Sequence, residues 1–254
     1  MTVDKRNGWA LPDMNHRKGR MLQLQLLCLR GWMMVANNLL LLFQRLLFQP
    51  TSRPQRILLF RTGSLGDSIC AMPAIASVRR HFGEAQIDLL TNTGHSGKNL
   101  VALDQLLPAG TVATVINYQG APKRELLRQL RQNQYDLVIQ LPQYTTTWFR
   151  LLRDMVVFRL LCGIPCGFGW QLAHLHFFLK AQEAAGNALN ERARLLSIVE
   201  KNHIPPVPET AIGLPLSEID AAAVKKMLRE RFLTDSPLIG IVPGAKRPQN
   251  RWPT

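Results

Sequence analysis

Between residues 56 and 161 short apolar runs take turns with longer mixed stretches, and that rhythm predicts the fold. The run at 56–60 (RILLF) reads as a buried strand, with further strands at 86–90 (QIDLL), 112–117 and 136–141 (DLVIQL). Helices are predicted at 67–82, 123–133 and 146–161, and another at 187–201. Strand alternating with helix implies an α/β domain, a parallel sheet with helices on both faces. Ligands of such sheets bind beyond the carboxyl ends of the strands, where the glycines of Gly63-Ser-Leu-Gly66 fall. The stretch 202–216 begins His203-Ile-Pro-Pro-Val-Pro208, too rich in proline to continue a helix, and reads as an interdomain linker. Ser217 and Asp220 then form a capping box for a helix running to about 232, followed by a strand at Leu238.

The amino-terminal 55 residues stand outside this rhythm. Residues 21–48 are rich in Leu, Met, Phe and Trp but interrupted by Arg30, Asn37, Asn38, Gln44 and Arg45, so no uninterrupted run reaches bilayer length. Two arrangements fit: a helix lying in the membrane interface with its cations toward acidic lipid, or a Leu-rich helix packed on the protein's own core. A secretory signal fits less well, because the apolar run starts late and lacks a small-residue cleavage site.

Composition narrows the class of function. With 254 residues, 46% hydrophobic and 19% charged, the chain is globular rather than disordered. Its net charge of +14 is uneven, since residues 1–56 carry nine Lys or Arg against two Asp. Such an excess attracts nucleic acid, anionic lipid or phosphorylated substrates. No recognised nucleic-acid-binding module accompanies the charge, so nucleic acid is set aside as a partner. Cys28, Cys70, Cys162 and Cys166 form no disulfide framework, and reduced thiols fit a cytoplasmic location. His174 and His176 have no Cys, Asp or Glu at ligand spacing, and no metal site is expected. Trp148, Phe149, Phe158, Phe168, Trp170, Phe177 and Phe178 read as packing residues of the α/β domain. The cations Lys123, Arg124, Arg128 and Arg131 recur along one helix, as a solvated face or as a surface toward a phosphorylated ligand.

The stretch Arg61-Thr-Gly-Ser-Leu-Gly-Asp-Ser68 follows the first strand and opens a helix, and its glycines let the backbone approach a ligand closely. It is neither a Walker loop nor the dinucleotide fingerprint, which argues against a nicotinamide oxidoreductase. Asp67, at the start of the helix, reads locally as an N-cap carboxylate or as a catalytic one. Near the end of the chain, Leu238-Ile-Gly-Ile-Val-Pro-Gly-Ala-Lys246 runs from a strand into a glycine-containing basic loop, followed by Asn250-Arg-Trp-Pro253. Backbone N–H groups and cations in such a loop suit a diphosphate.

Residues 56–75, then Val78-Arg-Arg-His-Phe82 with Ile87-Asp-Leu-Leu90, and finally Pro243-Gly-Ala245 before Arg251-Trp-Pro253, resemble glycosyltransferase family 9, which includes the ADP-heptose:lipopolysaccharide heptosyltransferases. The resemblance spans residues 56–254. It implies a GT-B architecture: a complete amino-terminal Rossmann-like domain (56–201) holding the acceptor, and a second Rossmann-like domain, beginning at 217, for the nucleotide-sugar donor. It implies inverting transfer of a heptose-type sugar from ADP-heptose, without metal or cofactor, to the lipopolysaccharide core or lipid A glycolipid. Asp67 matches the family's catalytic aspartate, a general base on the acceptor hydroxyl, with Gly63, Ser64 and Gly66 shaping the acceptor loop. Gly244, Ala245, Lys246, Asn250 and Arg251 match the donor diphosphate loop, Asn250 standing where many members have lysine. A donor domain of this kind extends about 100 residues further, so the chain is expected to be truncated and weakly active or inactive alone, at the cytoplasmic face of the inner membrane. The competing expectation is a non-catalytic remnant that binds a glycolipid or a partner protein.

Overall fold

A computed structural model describes residues 16–51, 53–63, 65–92, 103–119, 121–172, 190–208 and 218–231. Ser64, His174, His176, Phe177, Phe178, the strand expected at Leu238 and the whole loop Gly244, Ala245, Lys246, Asn250 and Arg251 lie outside the described residues. Two compact units divide the chain, Met1–Leu214 and Pro215–Thr254. In the second unit the described part is a single helix, α7 (Glu218–Arg231), which keeps no buried residue and carries Glu218 and Asp220 in its first turn.

The first unit contains α1 (His16–Leu47), β1 (Arg56–Arg61), α2 (Leu65–His81), β2 (Gln86–Thr91), a short α3 (Leu103–Leu106), β3 (Thr114–Asn117), α4 (Lys123–Gln132), β4 (Leu137–Leu141), α5 (Trp148–Val156) continuing into a π-helical turn (Val157–Leu161), β5 (Cys166–Phe168) and α6 (Glu191–Glu200). The five strands form one sheet in the order β3-β2-β1-β4-β5. Every pairing is parallel, with Leu59 opposite Leu89 on one side and Ile139 on the other. This is the α/β parallel sheet that the alternating pattern implied.

The apolar runs explain the sheet's position. Successive residues of a strand point to opposite faces, so Ile57 and Leu59 pack under α2 and α6 with Ala71, Ile75, Val78, Leu195 and Ile198. Leu58 faces the other side, with Leu40 of α1, Leu130 of α4 and Leu151 and Met155 of α5. Ile57, Leu58 and Leu59 are fully buried, and each contributes about 1.5–3 kcal/mol by leaving water. A run apolar on both faces is what a central parallel strand requires.

Helix α1 belongs to this body. Met33, Ala36 and Leu40 are buried, the Trp148 Nε1 donates to the Ala36 carbonyl at 2.9 Å, and the Arg159 Nε donates to the Leu47 carbonyl at 2.6 Å. After α1 the chain runs beside the sheet edge, with Gln49 bridging Cys166 of β5. The beginning of the expected linker is also packed. Ile204 and Val207 are buried, and the Val207 N–H donates to the Ser77 hydroxyl at 3.0 Å, so proline there ends a helix without detaching the chain from the domain.

Candidate active site

Strand order reverses direction at β1, between β2 and β4, and the carboxyl ends of β1 and β4 bound the crevice where open α/β sheets take ligands. The loop of interest leaves β1 there. Its central feature is Gly63, at φ +155°, a conformation that side-chain-bearing residues rarely adopt. A Cβ on Gly63 would come within 2.6 Å of the Asp67 Cβ, 3.0 Å of its Oδ2 and 3.1 Å of the Gln143 Nε2. Glycine at 63 is therefore what allows Asp67 and Gln143 to approach the same stretch of backbone.

Asn92, just beyond β2, holds that backbone in place. The Gly63 N–H donates to Asn92 Oδ1 at 2.9 Å, and Asn92 Nδ2 donates to the Gly63 carbonyl at 3.3 Å. Helix α2 begins at Leu65, so Asp67 lies within the first turn rather than at the cap. A carboxylate there gains from the positive end of the helix dipole. Gly66, in contrast, is exposed and a Cβ on it would meet nothing within 4 Å, which leaves open space at the start of the helix.

Beneath the loop lies Arg61, the last residue of β1, with a side chain wholly shielded from solvent. Its Nη1 donates to the carbonyls of Leu141 and Pro142, each at 3.0 Å, and its Nη2 donates to the Asp67 carbonyl at 2.7 Å. The same guanidinium sits 3.7 Å from Glu191 Oε1 at the start of α6. Burial lowers the Arg61 pKa, opposed by the negative charges of Glu191 and Asp67. Arg194 Nη2 also donates to the Pro142 carbonyl, at 2.6 Å, and Arg194 grips Glu191 through both carboxylate oxygens at 2.7 and 2.8 Å. A planar fork suits this role, because one guanidinium can satisfy several fixed carbonyls at once. Three chain segments, the ends of β1 and β4 and the first turn of α2, are thereby locked together under Asp67.

Beside the loop, on the face bearing α1, α4 and α5, opens a cavity of about 530 Å³ lined by Thr62 and Gln143 and floored by Phe60, Leu90, Leu130 and Phe158. Lys123 from α4 and Arg150 and Arg153 from α5 also line it. Both helices present N-termini without a side-chain cap, at Pro122 and Thr147, leaving backbone N–H groups for another acceptor. Within the cavity wall, buried Asp154 accepts from Gln140 Nε2 at 2.9 Å and from Arg153 at 2.6 and 3.0 Å. Burial pushes the Asp154 carboxyl up from its ordinary value, and the Arg153 contacts partly offset this. An apolar floor with cations and helix N-termini at its walls suits an amphiphile or sugar carrying an anionic group.

Of the residues marked by sequence, Gly63, Gly66 and Asp67 share this one loop, while Ser64 and the carboxyl-terminal loop are outside the described residues. Of the basic stripe, Lys123 lines the cavity, and Arg124, Arg128 and Arg131 are exposed. Among the aromatic residues Phe158, Phe168 and Trp170 are buried, whereas Phe149 is exposed. Asn92, Gln143, Arg150, Arg194 and Glu191 were not marked. A polar residue just past the strand, Asn92 directly after β2 and Gln143 two residues after β4, was the available signal.

The fold and crevice define a Rossmann-like parallel α/β domain with a carboxylate in the first helical turn beyond its strand ends. Among solved structures, the fold matches that of a glycosyl transferase of family 9 from Veillonella parvula, at TM-score 0.52 and 15% identity over 81% of this chain and 58% of that one. An Escherichia coli ADP-heptose lipopolysaccharide heptosyltransferase II aligns at TM-score 0.46 and 20% identity, over 78% of this chain and 57% of that one. The Escherichia coli heptosyltransferase WaaC with ADP aligns at 0.41 and 16%, over 78% and 61%. The chain thus spans less than two thirds of the length of each of these proteins. No protein-family model matches the chain, and no curated protein matches it either.

Proposed function

We propose that this chain supplies the acceptor side of a glycosyltransferase that moves a heptose-type sugar, with inversion, from a nucleotide-diphosphate sugar such as ADP-heptose to a lipopolysaccharide-type glycolipid. Asp67 takes the proton of the acceptor hydroxyl as that oxygen attacks the anomeric carbon, and the sugar–phosphate bond breaks with its electrons passing to the diphosphate. Gly244, Ala245, Lys246, Asn250 and Arg251 grip the departing diphosphate, and no metal or cofactor takes part. Donor and sugar follow from the sequence resemblance.

The observation that carries the reading is the fit between Gly63 and Asp67. The loop leaves no room for a side chain at 63 because the Asp67 side chain occupies it, and Arg61 pins the Asp67 backbone from below. A carboxylate used only to finish a helix needs no such cradle. The adjoining cavity supports an anionic acceptor, since Lys123, Arg150 and Arg153 line it.

Because every residue lining the cavity belongs to the first unit, acceptor binding without transfer is a second reading. One experiment separates the two. The chain is titrated with a phosphorylated deep-core glycolipid and then incubated with that acceptor and ADP-heptose, with product followed by mass. With a complete donor domain joined to the chain, saturable binding with a heptosylated product supports transfer, binding alone supports the second reading, and the absence of both refutes the assignment of the site.

A further inference from the structure

We propose that the outward side of α1, together with the adjoining surface of α5 and its π-helical turn, is a docking face for an anionic lipid bilayer, on which the domain lies without crossing it. The proposal does not rest on sugar transfer, since its apolar row lies on α1, which lends no residue to the cavity, while Arg150 and Arg153 of α5 border both surfaces.

Helix α1 is apolar on two sides. Its inner side, through Met33, Ala36 and Leu40, packs on the domain. The outer side carries Trp32, Val35, Leu39, Leu42 and Leu46, spaced alternately by three and four residues, and all are exposed, Leu46 at 72% and Trp32 at 67%. At about 1.5 Å per residue, this row is roughly 20 Å long. Helix α5 and its π-turn lie in the same layer, joined to α1 by the Trp148–Ala36 and Arg159–Leu47 hydrogen bonds. They add exposed Val156 and Leu160. Isolated exposed leucines are ordinary, whereas a regular row of five apolar residues along one helix, with more exposed on the helix packed against it, marks a surface that something covers.

Charge decides what covers it. Helix α1 contains no Asp or Glu and five Lys or Arg. Arg45 is exposed on α1 beside the row, and Arg150 and Arg153 are exposed on α5. Two copies of a chain with net charge +14 meeting through this face would bring like charges together, while an anionic surface neutralises them. Among the described residues no helix is long and apolar enough to cross a membrane. An apolar row edged with cations is the arrangement of a helix lying in the headgroup region, its apolar side buried about 5–10 Å.

The test is flotation of the full chain with vesicles of phosphatidylcholine alone or mixed with phosphatidylglycerol, alongside Leu42→Gln/Leu46→Gln and Ile219→Gln. All three positions are exposed, so the core is untouched, and circular dichroism checks each fold. The expected result is flotation with the mixed vesicles only, reduced by salt, roughly tenfold weaker in the double variant and unchanged in Ile219→Gln. A fluorophore on Cys28, which is exposed on α1, should shift to the blue on binding. Equal flotation of parent and double variant, or no flotation at all, overturns the proposal. Self-association lost in the double variant, without vesicle binding, assigns the face to a second copy and also overturns it.

Discussion

Replacing Gly63 and Gly66 one at a time by alanine should move stability in opposite directions, although the two sites are three residues apart. At Gly63 the new Cβ would fall 2.6 Å from the Asp67 Cβ, an atom tied to helix backbone, with Asp67 Oδ2 and Gln143 Nε2 at 3.0 and 3.1 Å. An uncommon backbone conformation costs a side-chain-bearing residue about 1–3 kcal/mol, and overpacking adds about 1–3 kcal/mol. A loss of about 2–6 kcal/mol follows, which lowers a urea midpoint by roughly 0.7–2 M at a slope near 3 kcal/mol/M. At Gly66 nothing stands within 4 Å and the residue is helical, so alanine should stabilise by about 0.5 kcal/mol through the unfolded chain. Both variants would be unfolded in urea, followed by fluorescence and circular dichroism together to check two-state behaviour. A Gly63→Ala variant within about 1 kcal/mol of the parent would show that Asp67 does not press on the loop, and the cradle argument would fail.

Other consequences are open to measurement. Because burial raises the Asp154 carboxyl pKa, the folded chain holds a proton there that the unfolded chain releases. This residue's effect on stability should therefore worsen as pH rises from about 4, the unfolded value, through the raised folded value, and be absent below that window. Asp154→Asn, followed by urea midpoints from about pH 4 upward, should flatten that slope; an unchanged slope refutes the assignment. Lys123→Gln and Arg150→Gln should each weaken binding of a phosphorylated glycolipid roughly threefold to tenfold and leave an uncharged analogue unaffected, as judged by calorimetry; equal effects on both ligands would remove the anionic contact. Exposed Cys28 should react first with a thiol reagent at neutral pH, while buried Cys162, pushed up to about 11 by desolvation, should react only on unfolding. Rapid native labelling of Cys162 would contradict its place in the core.

The sheet was legible because its central strands are nearly uniform runs of Ile, Leu and Val, which only a two-faced buried strand uses in that form. The five-residue runs at 56–60 and 86–90 lie within β1 and its neighbour β2. β5 was not legible, since Cys-Gly-Phe is three residues beside Pro165 and Gly163, too short for any period. The inner side of α1 was one of two readings the sequence left open, and α1 turned out to have an apolar side for each. In the site, Gly63 and Asp67 form a local motif and could be read directly. Arg61 read as the first residue of the loop after the strand, and its burial comes from β4, eighty residues away and adjacent only through the parallel crossover. The pairing of Asn92 with Gly63 has the same origin, because β2 and β1 end side by side. Sequence spacing carries no trace of contacts that the order of strands creates.

The account turns on the Asp67 carboxylate acting on the acceptor hydroxyl. Its most direct test compares parent and Asp67→Asn, each joined to a complete donor domain of a heptosyltransferase, in heptosyl transfer from ADP-heptose, with glycolipid binding measured in parallel. A transfer rate lower by on the order of 10²–10⁴ with acceptor affinity within about threefold is the expected result for loss of a general base. Transfer by Asp67→Asn at the parental rate would contradict the account.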